Sequence, residues 1–425
     1  ERFDQLSCRA AVYDLIARRD EQRADVEEML DLAEELGDDT RLCDALLALA
    51  DYYTETRYLD AQEPGEKALA LARSLGDPER EARVLRLLGY LSWNKDDYHR
   101  SREELEAAVG LFMDAGLLGE AASSLHMLSL PLKPLHEFGP AMEAAKKSVA
   151  LSQKVGDRRQ EAIALRRLAI THGLLRGAEA LPYVQRALAL HREVGDRSEE
   201  MNALNVLGFG MAHLGEYAEA ERCFRQSLAI AESIGASIPT SYAVSNLVQY
   251  HYERRGDFEG SLQFLDARLD HALAVGDDWL VAELGVARGY VLMRLGQYDR
   301  AHRSLATASQ TMEELGDPGS ALSARLWRGV VEAYLGDYEG SVETLQMTVE
   351  RARERRDEGL LAWALVCQGF AGLLEGRPQT LSAGLERVLE VLDLIPDEEF
   401  YEKGAGYEIA AALHLALGEI DSAME

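Results

Sequence analysis

The chain has 425 residues, of which 47% are hydrophobic and 28% are charged, and its formal net charge at pH 7 is −29. This composition is typical of a folded protein, and the acidic excess disfavours direct binding of nucleic acid or an anionic membrane, which needs clustered cations. No apolar run reaches the roughly 18 residues of a membrane-spanning helix, so we predict neither a membrane span nor a signal peptide.

The ends of the chain and its cysteines indicate the setting. The first residue is Glu1 rather than a methionine, and we expect the chain to be part of a longer protein. The cysteines lie far apart, without Cys-x-x-Cys or metal-site spacing, at Cys8, Cys43, Cys223 and Cys367. We predict buried, reduced thiols and a cytoplasmic protein.

A glycine that closes an apolar helical run recurs every 39 to 41 residues, at Gly37, Gly76, Gly116, Gly156, Gly195, Gly235, Gly276 and Gly316. Six of these eight glycines are followed by Asp, which can cap the free N–H groups of a new helix. A turn aromatic has the same period, at Tyr58, Tyr98, Phe138, Tyr217, Phe258, Tyr298 and Tyr338. Each unit of 40 residues is therefore predicted to be two helices joined by tight turns.

In chain order, we predict an N-terminal helix pair over residues 1–37. Tandem repeats over 38–397 are expected to form one continuous superhelix, and residues 398–425 to be a truncated last repeat. Three prolines in 129–140 and the missing turn tyrosine around 174–180 predict local irregularities in the stacking.

The unit resembles a tetratricopeptide repeat in its longer form. Within 201–235, Gly208 matches the small residue of the first helix, Tyr217 the turn aromatic, and Ala220 and Phe224 the small and aromatic residues of the second helix. The first-helix small residue recurs at Gly89, Gly289, Gly329 and Gly369. The resemblance implies an all-α fold, a right-handed α-solenoid of about ten helix-turn-helix repeats whose first helices line a concave groove.

A second resemblance concerns the context of the repeats. The opening RAAVYDLIARRDEQRADVEEMLDLAEELGD and phrases such as REVGDR are similar to the repeat regions that follow the ATPase module in bacterial STAND-type signal-transduction ATPases and transcriptional regulators. This resemblance implies a sensor arm and an ATPase module elsewhere in the full-length protein. The P-loop pattern G-x-x-x-x-G-K-[ST] does not occur in these residues.

No arrangement of residues predicts catalysis. The chain has no His-Glu-x-x-His and no Gly-x-Ser-x-Gly, so we predict no enzyme activity, no cofactor and no metal. His99, His136 and His191 are interpreted as solvated helix or turn residues, and the four tryptophans as packing residues.

Counting back from each turn aromatic gives one first-helix position that is basic or amide in five repeats and apolar in the last three, and a neighbouring position that is aromatic in several repeats and aliphatic in the others. Arg offers a planar fork for carboxylate or phosphate, Asn can pair with a peptide backbone, and aromatic rings supply contact area. The predicted groove residues are Arg83, Arg86, Tyr90, His126, Arg166, Asn202, Asn205, Phe209, Asn246, Tyr250 and Tyr290. The alternative is that exposed helix faces are polar in any case and the pattern arose by chance.

Two functions are compatible with these observations. In the first, the chain is a non-catalytic sensor arm whose groove binds a protein, a peptide or a small anionic effector and regulates the attached ATPase. In the second, it is a passive scaffold or oligomerisation arm without an effector. Under the first, we expect reversal of Arg86 and Arg166 to abolish binding with little change in stability.

Overall fold

The structure is a computed structural model that describes residues 1–15, 18–56, 58–95, 97–135, 137–171, 178–355, 357–394 and 400–419. Two compact units divide the chain, residues 1–215 and 216–425, here called unit 1 and unit 2. The described residues form twenty-one α-helices and no strand. The predicted all-α fold is confirmed.

Unit 1 contains eleven of the described helices. Their bounds are α1 Arg2–Leu15, α2 Arg19–Leu36, α3 Asp39–Thr56, α4 Gln62–Leu75, α5 Pro78–Asn94, α6 Tyr98–Asp114, α7 Leu118–Leu132, α8 Phe138–Val155, α9 Arg158–Thr171, α10 Leu181–Val194 and α11 Arg197–His213. Short 3₁₀ turns precede α4 and α10.

Unit 2 contains the remaining ten. Their bounds are α12 Tyr217–Ile234, α13 Ser237–Leu247, α14 Phe258–Val275, α15 Asp278–Arg294, α16 Tyr298–Glu314, α17 Pro318–Tyr334, α18 Tyr338–Arg355, α19 Glu358–Glu375, α20 Pro378–Leu394 and α21 Phe400–Leu417. A π-helical turn over Val248–Tyr252 extends α13.

The turns between helices follow the predicted chemistry. All eight period-marking glycines have positive φ; at Gly76, for example, φ is 63°. Directly after it, the Asp77 carboxylate accepts hydrogen bonds from the N–H groups of Glu79 and Arg80, both at 3.1 Å. Pro78 occupies the first helical position, where an N–H group would lack a helical partner. The left-handed glycine thus ends one helix and the aspartate begins the next.

Within each unit, most of the described helices pack mainly against the helices before and after them in the chain; α13 is an exception, since it packs against α12 and α15. The first helices of neighbouring pairs also approach each other: α5 contacts α7 and α7 contacts α9 in unit 1, while α15 contacts α17 and α17 contacts α19 in unit 2. A single pair could not bury both of its apolar stripes, so the core of each unit is shared between neighbours, as in other repeat proteins.

Small residues permit the close approach of the two helices in a pair. A Cβ atom built on Gly89 of α5 would lie 2.6 Å from Leu105 Cγ of α6. At Gly329 of α17, the same atom would lie 2.7 Å from Leu345 Cγ. Neither distance is compatible with packed atoms, so these positions require glycine for the observed helix contact.

Departures from the regular pattern occur at three places. Pro131 lies inside the last turn of α7, within the proline-rich segment where an irregularity is predicted. Most of the other predicted irregularity falls on residues 172–177, outside the described residues; Ala178–Ala180 form a 3₁₀ turn. The π-helical turn over Val248–Tyr252 was not predicted.

Two sequence-based interpretations need correction. Cys43, Cys223 and Cys367 are buried as predicted, but Cys8 is exposed on α1. His99 is exposed, whereas His191 is fully buried in α10 rather than solvated. The apolar stripe of α10 extends across this position, and an imidazole has enough apolar surface to be packed there. His136 lies outside the described residues.

Candidate functional site

Three predicted groove residues of unit 1 bind side chains on the first helix of the next pair. Each partner is 33 or 34 residues further along the chain, so the same contact repeats from α5 to α7, α7 to α9 and α9 to α11. We call these contacts the ladder: Arg86 with Glu120, His126 with Gln160 and Arg166 with Glu199. The ladder joins neighbouring repeats through their polar side chains as well as their apolar ones.

The two charged contacts of the ladder involve Arg86 and Arg166, which the sequence predicted to be available to a binding partner. Arg166 donates from Nη2 at 2.7 Å and from Nε at 3.2 Å to one carboxylate oxygen of Glu199. Both side chains are mostly buried, with exposed fractions of 13% and 18%. Arg86 pairs with Glu120 and lies over the Phe112 ring. Reversing these two charges would oppose each carboxylate with another, so we now expect that double variant to be destabilised as well.

The middle step of the ladder is neutral. His126 is 9% exposed, and the Gln160 amide donates to its Nδ1 at 2.9 Å. Burial, followed by the positive charges of Arg167, Arg166 and Arg86, lowers the pKa of His126 to about 3. The imidazole is therefore uncharged at neutral pH, and its buried position separates it from solvent.

Two of the predicted residues on α5 remain accessible. Arg83 is exposed, and its guanidinium pairs with Glu79 one turn away, at 2.6 Å. Tyr90 is partly exposed and stacks on Trp93 with ring centroids 5.8 Å apart. Exposed pairs of this kind contribute little to stability and can exchange for an external partner.

The predicted residues on α11 extend the polar surface beyond the ladder. Asn202 donates from Nδ2 to Glu199 at 3.4 Å, which links it to the last ladder step. Asn205 and Phe209 are partly exposed, and Phe209 meets His213 edge to face with centroids 4.4 Å apart. Eight of the eleven predicted residues thus belong to unit 1.

The other three lie in unit 2. Asn246 is partly exposed, whereas Tyr250 is buried and stacks on Phe224 with centroids 6.0 Å apart. Tyr290 donates its hydroxyl hydrogen to Glu253 at 2.8 Å. Burial and the neighbouring carboxylate raise the pKa of Tyr290 to about 12. In unit 2 these aromatic rings are part of the packing between helices.

Sequence reasoning missed Arg167, the residue directly after the last ladder arginine. The equivalent positions in unit 1 are apolar, at Leu87, Met127 and Val206, so a charged residue in this column was the available signal. The Nε of Arg167 is buried without a hydrogen-bond partner. Among the described residues, no carboxylate forms an ion pair with it, although Glu199 lies close enough to act on its charge.

Two kinds of site are absent from the described ranges. No group of three or more His, Cys, Asp or Glu side chains there could hold a metal ion. No helix in the same ranges combines the length and the apolar character needed to cross a bilayer.

Comparison with known families and solved structures identifies the type of fold. Residues 173–233 match the tetratricopeptide repeat model, and residues 247–368 match the model of anaphase-promoting complex subunit 5. None of the curated proteins gives a match. Yeast Tom70 is 13% identical, with a TM-score of 0.53 over 97% of this chain and 96% of that chain. The fold is tetratricopeptide-like.

A second solved structure agrees over nearly the full length. The Rap protein complexed with Competence and Sporulation Factor is 16% identical, with a TM-score of 0.51 over 98% of this chain and 99% of that chain. At these identities, both similarities concern the arrangement of helices and identify no common binding residue.

Proposed function

We propose that this chain is a non-catalytic binding arm that recognises a protein or peptide partner on the first helices of unit 1. The surface proposed, here called the first-helix face, is formed by Arg83 and Tyr90 of α5, Arg167 of α9 and Asn202 of α11. One observation carries the proposal: the ladder satisfies Arg86, His126 and Arg166 internally, yet cationic, amide and aromatic groups remain beside it.

The chemistry of this face suits a peptide segment with acidic groups. Arginine and tyrosine provide much of the binding energy in protein interfaces, and an asparagine amide can pair with backbone groups. In a chain of net charge −29, a local cationic surface attracts an acidic partner and excludes the acidic remainder of the same protein.

The comparisons support a binding function only through the fold. The Rap protein has a helix arrangement similar to this chain, and it was solved in complex with Competence and Sporulation Factor. Regulation of an attached ATPase remains a proposal that rests on the resemblance of the repeat phrases to STAND-type proteins. In that setting, partner binding would act by its different affinities for two states of the arm.

Charge reversal at one exposed arginine tests the proposed face. Peptides selected from a displayed random library on the wild-type protein are expected to bind Arg83→Glu at least tenfold more weakly. Because Arg83 is exposed and pairs only with a residue one turn away, its reversal should change the unfolding free energy by less than about 0.5 kcal/mol. The measurement is isothermal titration calorimetry on both proteins, with circular dichroism to confirm their helicity.

The matched control is Lys147→Glu on α8, a second helix of unit 1. It changes the net charge by the same amount at an exposed position away from the first helices. Peptide affinity within twofold of wild type is expected for this variant. Equal binding to the wild-type and Arg83→Glu proteins would show that the selected peptides use another surface, and the proposed function would then fail.

A further inference from the structure

Arg167 differs from the arginines around it because its guanidinium has no partner in the part of the chain that the structure describes. Arg86 and Arg166 each pair with a glutamate in the ladder, whereas none of the described residues forms a hydrogen bond or an ion pair with the Arg167 guanidinium. Its Nε is fully enclosed, yet the residue as a whole keeps partial exposure. Because Nε is closed to solvent, an external acceptor would bind to the part of the guanidinium that remains exposed, and a partly buried charge without such a partner is costly.

The groups around Arg167 determine what could bind there. Of the charges that act on His126, that of Arg167 is the strongest, and Arg167 is itself influenced by Arg166, Glu199 and the Tyr90 hydroxyl. Burial and the neighbouring Arg166 lower the pKa of Arg167 to about 10, so the guanidinium remains charged at neutral pH.

The charges of the cluster leave one positive charge unbalanced. The two glutamates of the ladder offset Arg86 and Arg166, and His126 is neutral at pH 7. The charge of Arg167 is then the excess, within a chain whose net charge is −29. A single negative charge would complete the cluster, whereas a doubly charged phosphate would bring a second negative charge close to Glu199.

We propose that Arg167 is the receptor for one carboxylate group, which its planar fork binds beside the Tyr90 hydroxyl. The inference rests on the proposed function and makes it more specific: the partner contributes a carboxylate, from an acidic side chain, from a chain terminus or from a small dicarboxylate. Two parallel N–H···O bonds from one guanidinium fix both the position and the orientation of such a group.

The test compares the full chain and Arg167→Met with three probes at constant ionic strength: succinate, an acidic hexapeptide with a free carboxyl terminus, and inorganic phosphate. Calorimetric titration is expected to detect binding of succinate or of the hexapeptide to the wild-type protein. At least a tenfold loss of that affinity is expected in Arg167→Met, because the hydrogen bonds to a charged group disappear. The probe that binds identifies the source of the carboxylate.

Thermal unfolding without probe accompanies the titration, and Arg167→Met is expected to melt at the same temperature as the wild type or higher. A lower melting temperature with retained carboxylate affinity would assign Arg167 a structural role and overturn the inference. Three other results would also overturn the inference: equal carboxylate affinity in both proteins, tighter binding of phosphate than of the carboxylates, and no binding of any probe to the wild type. Since Arg83→Glu tests the face with selected peptides, the proposed function can survive each of these results.

Discussion

Acidification from pH 6 to pH 4 is expected to lower the unfolding free energy of the wild-type protein by roughly 2–3 kcal/mol more than that of His126→Gln. The folded state keeps the imidazole neutral because its pKa is lowered to about 3, while in the unfolded state it titrates near its ordinary value of 6.5. Between those two values the unfolded state binds more protons, so the stabilisation is complete above pH 6.5 and declines as the pH falls.

The charged groups that face His126 are Arg86 on α5 and Arg166 and Arg167 on α9. All three oppose its protonation and keep their charges throughout this pH range. The measurement is urea-dependent hydrogen exchange of the α7 and α9 amides, which reports the opening of these helices separately from unit 2.

His99→Gln is the control. Because His99 is exposed on α6, its replacement should leave the pH dependence of the unfolding free energy as it is in the wild type. At each pH, the unfolding free energy of His126→Gln is subtracted from that of wild type. The contributions of the other histidines and of the carboxylates are the same in both proteins and cancel. A difference that is constant from pH 6 to pH 4 would mean that His126 is protonated equally in the folded and unfolded states.

The same substitution at two adjacent arginines is expected to have opposite effects. Arg166→Met should lower the unfolding free energy of the α9 region by about 2 kcal/mol, because Glu199 loses its partner. This value is below that of a fully buried pair, since both side chains keep some exposure and Arg167 remains near Glu199. Arg167→Met should raise the free energy by about 1 kcal/mol, because an unpaired, partly enclosed charge is replaced by an apolar side chain of similar length.

Urea-dependent hydrogen exchange of α9 measures both variants under the same conditions. Each variant loses one positive charge, so the change in net charge is matched and only the local partner differs. If Arg167→Met is destabilised as much as Arg166→Met, Arg167 has a structural partner and its proposed binding role is not supported.

The repeat period could be read from the sequence because its determinants are local. Gly76 followed by Asp77 specifies a helix end and a helix start within two residues, and the glycines at Gly89 and Gly329 mark close contacts within one pair. The π-helical turn at Val248–Tyr252 could not be predicted, because these residues are compatible with ordinary helix and the extra residue per turn is set by packing.

The candidate site was predictable only in part. Superposition of the repeats identified Arg86, His126 and Arg166 as one column, but not that each reaches a residue 33 or 34 positions later. That contact depends on the distance between two first helices, which no single repeat contains. Asp157 and Gln160 have the spacing of a capping box, and the Asp157 carboxylate does accept a hydrogen bond from the Gln160 N–H at 2.9 Å. The Gln160 side chain, however, bonds to His126 of the preceding repeat, which its local spacing does not predict.

The most direct test of this account observes the terminal Nη–H groups of Arg167 itself, by NMR of protein labelled with ¹⁵N-arginine and assigned through Arg167→Met. Without ligand, their signals should have the chemical shifts of N–H groups that lack a protein hydrogen-bond acceptor, and saturation with the carboxylate probe that binds should move them to those of bonded groups. The signals of Arg86 and Arg166 should move less, because their glutamate partners remain in place. A hydrogen-bonded signal before any ligand is added, or one that stays unchanged at saturation, would contradict the account.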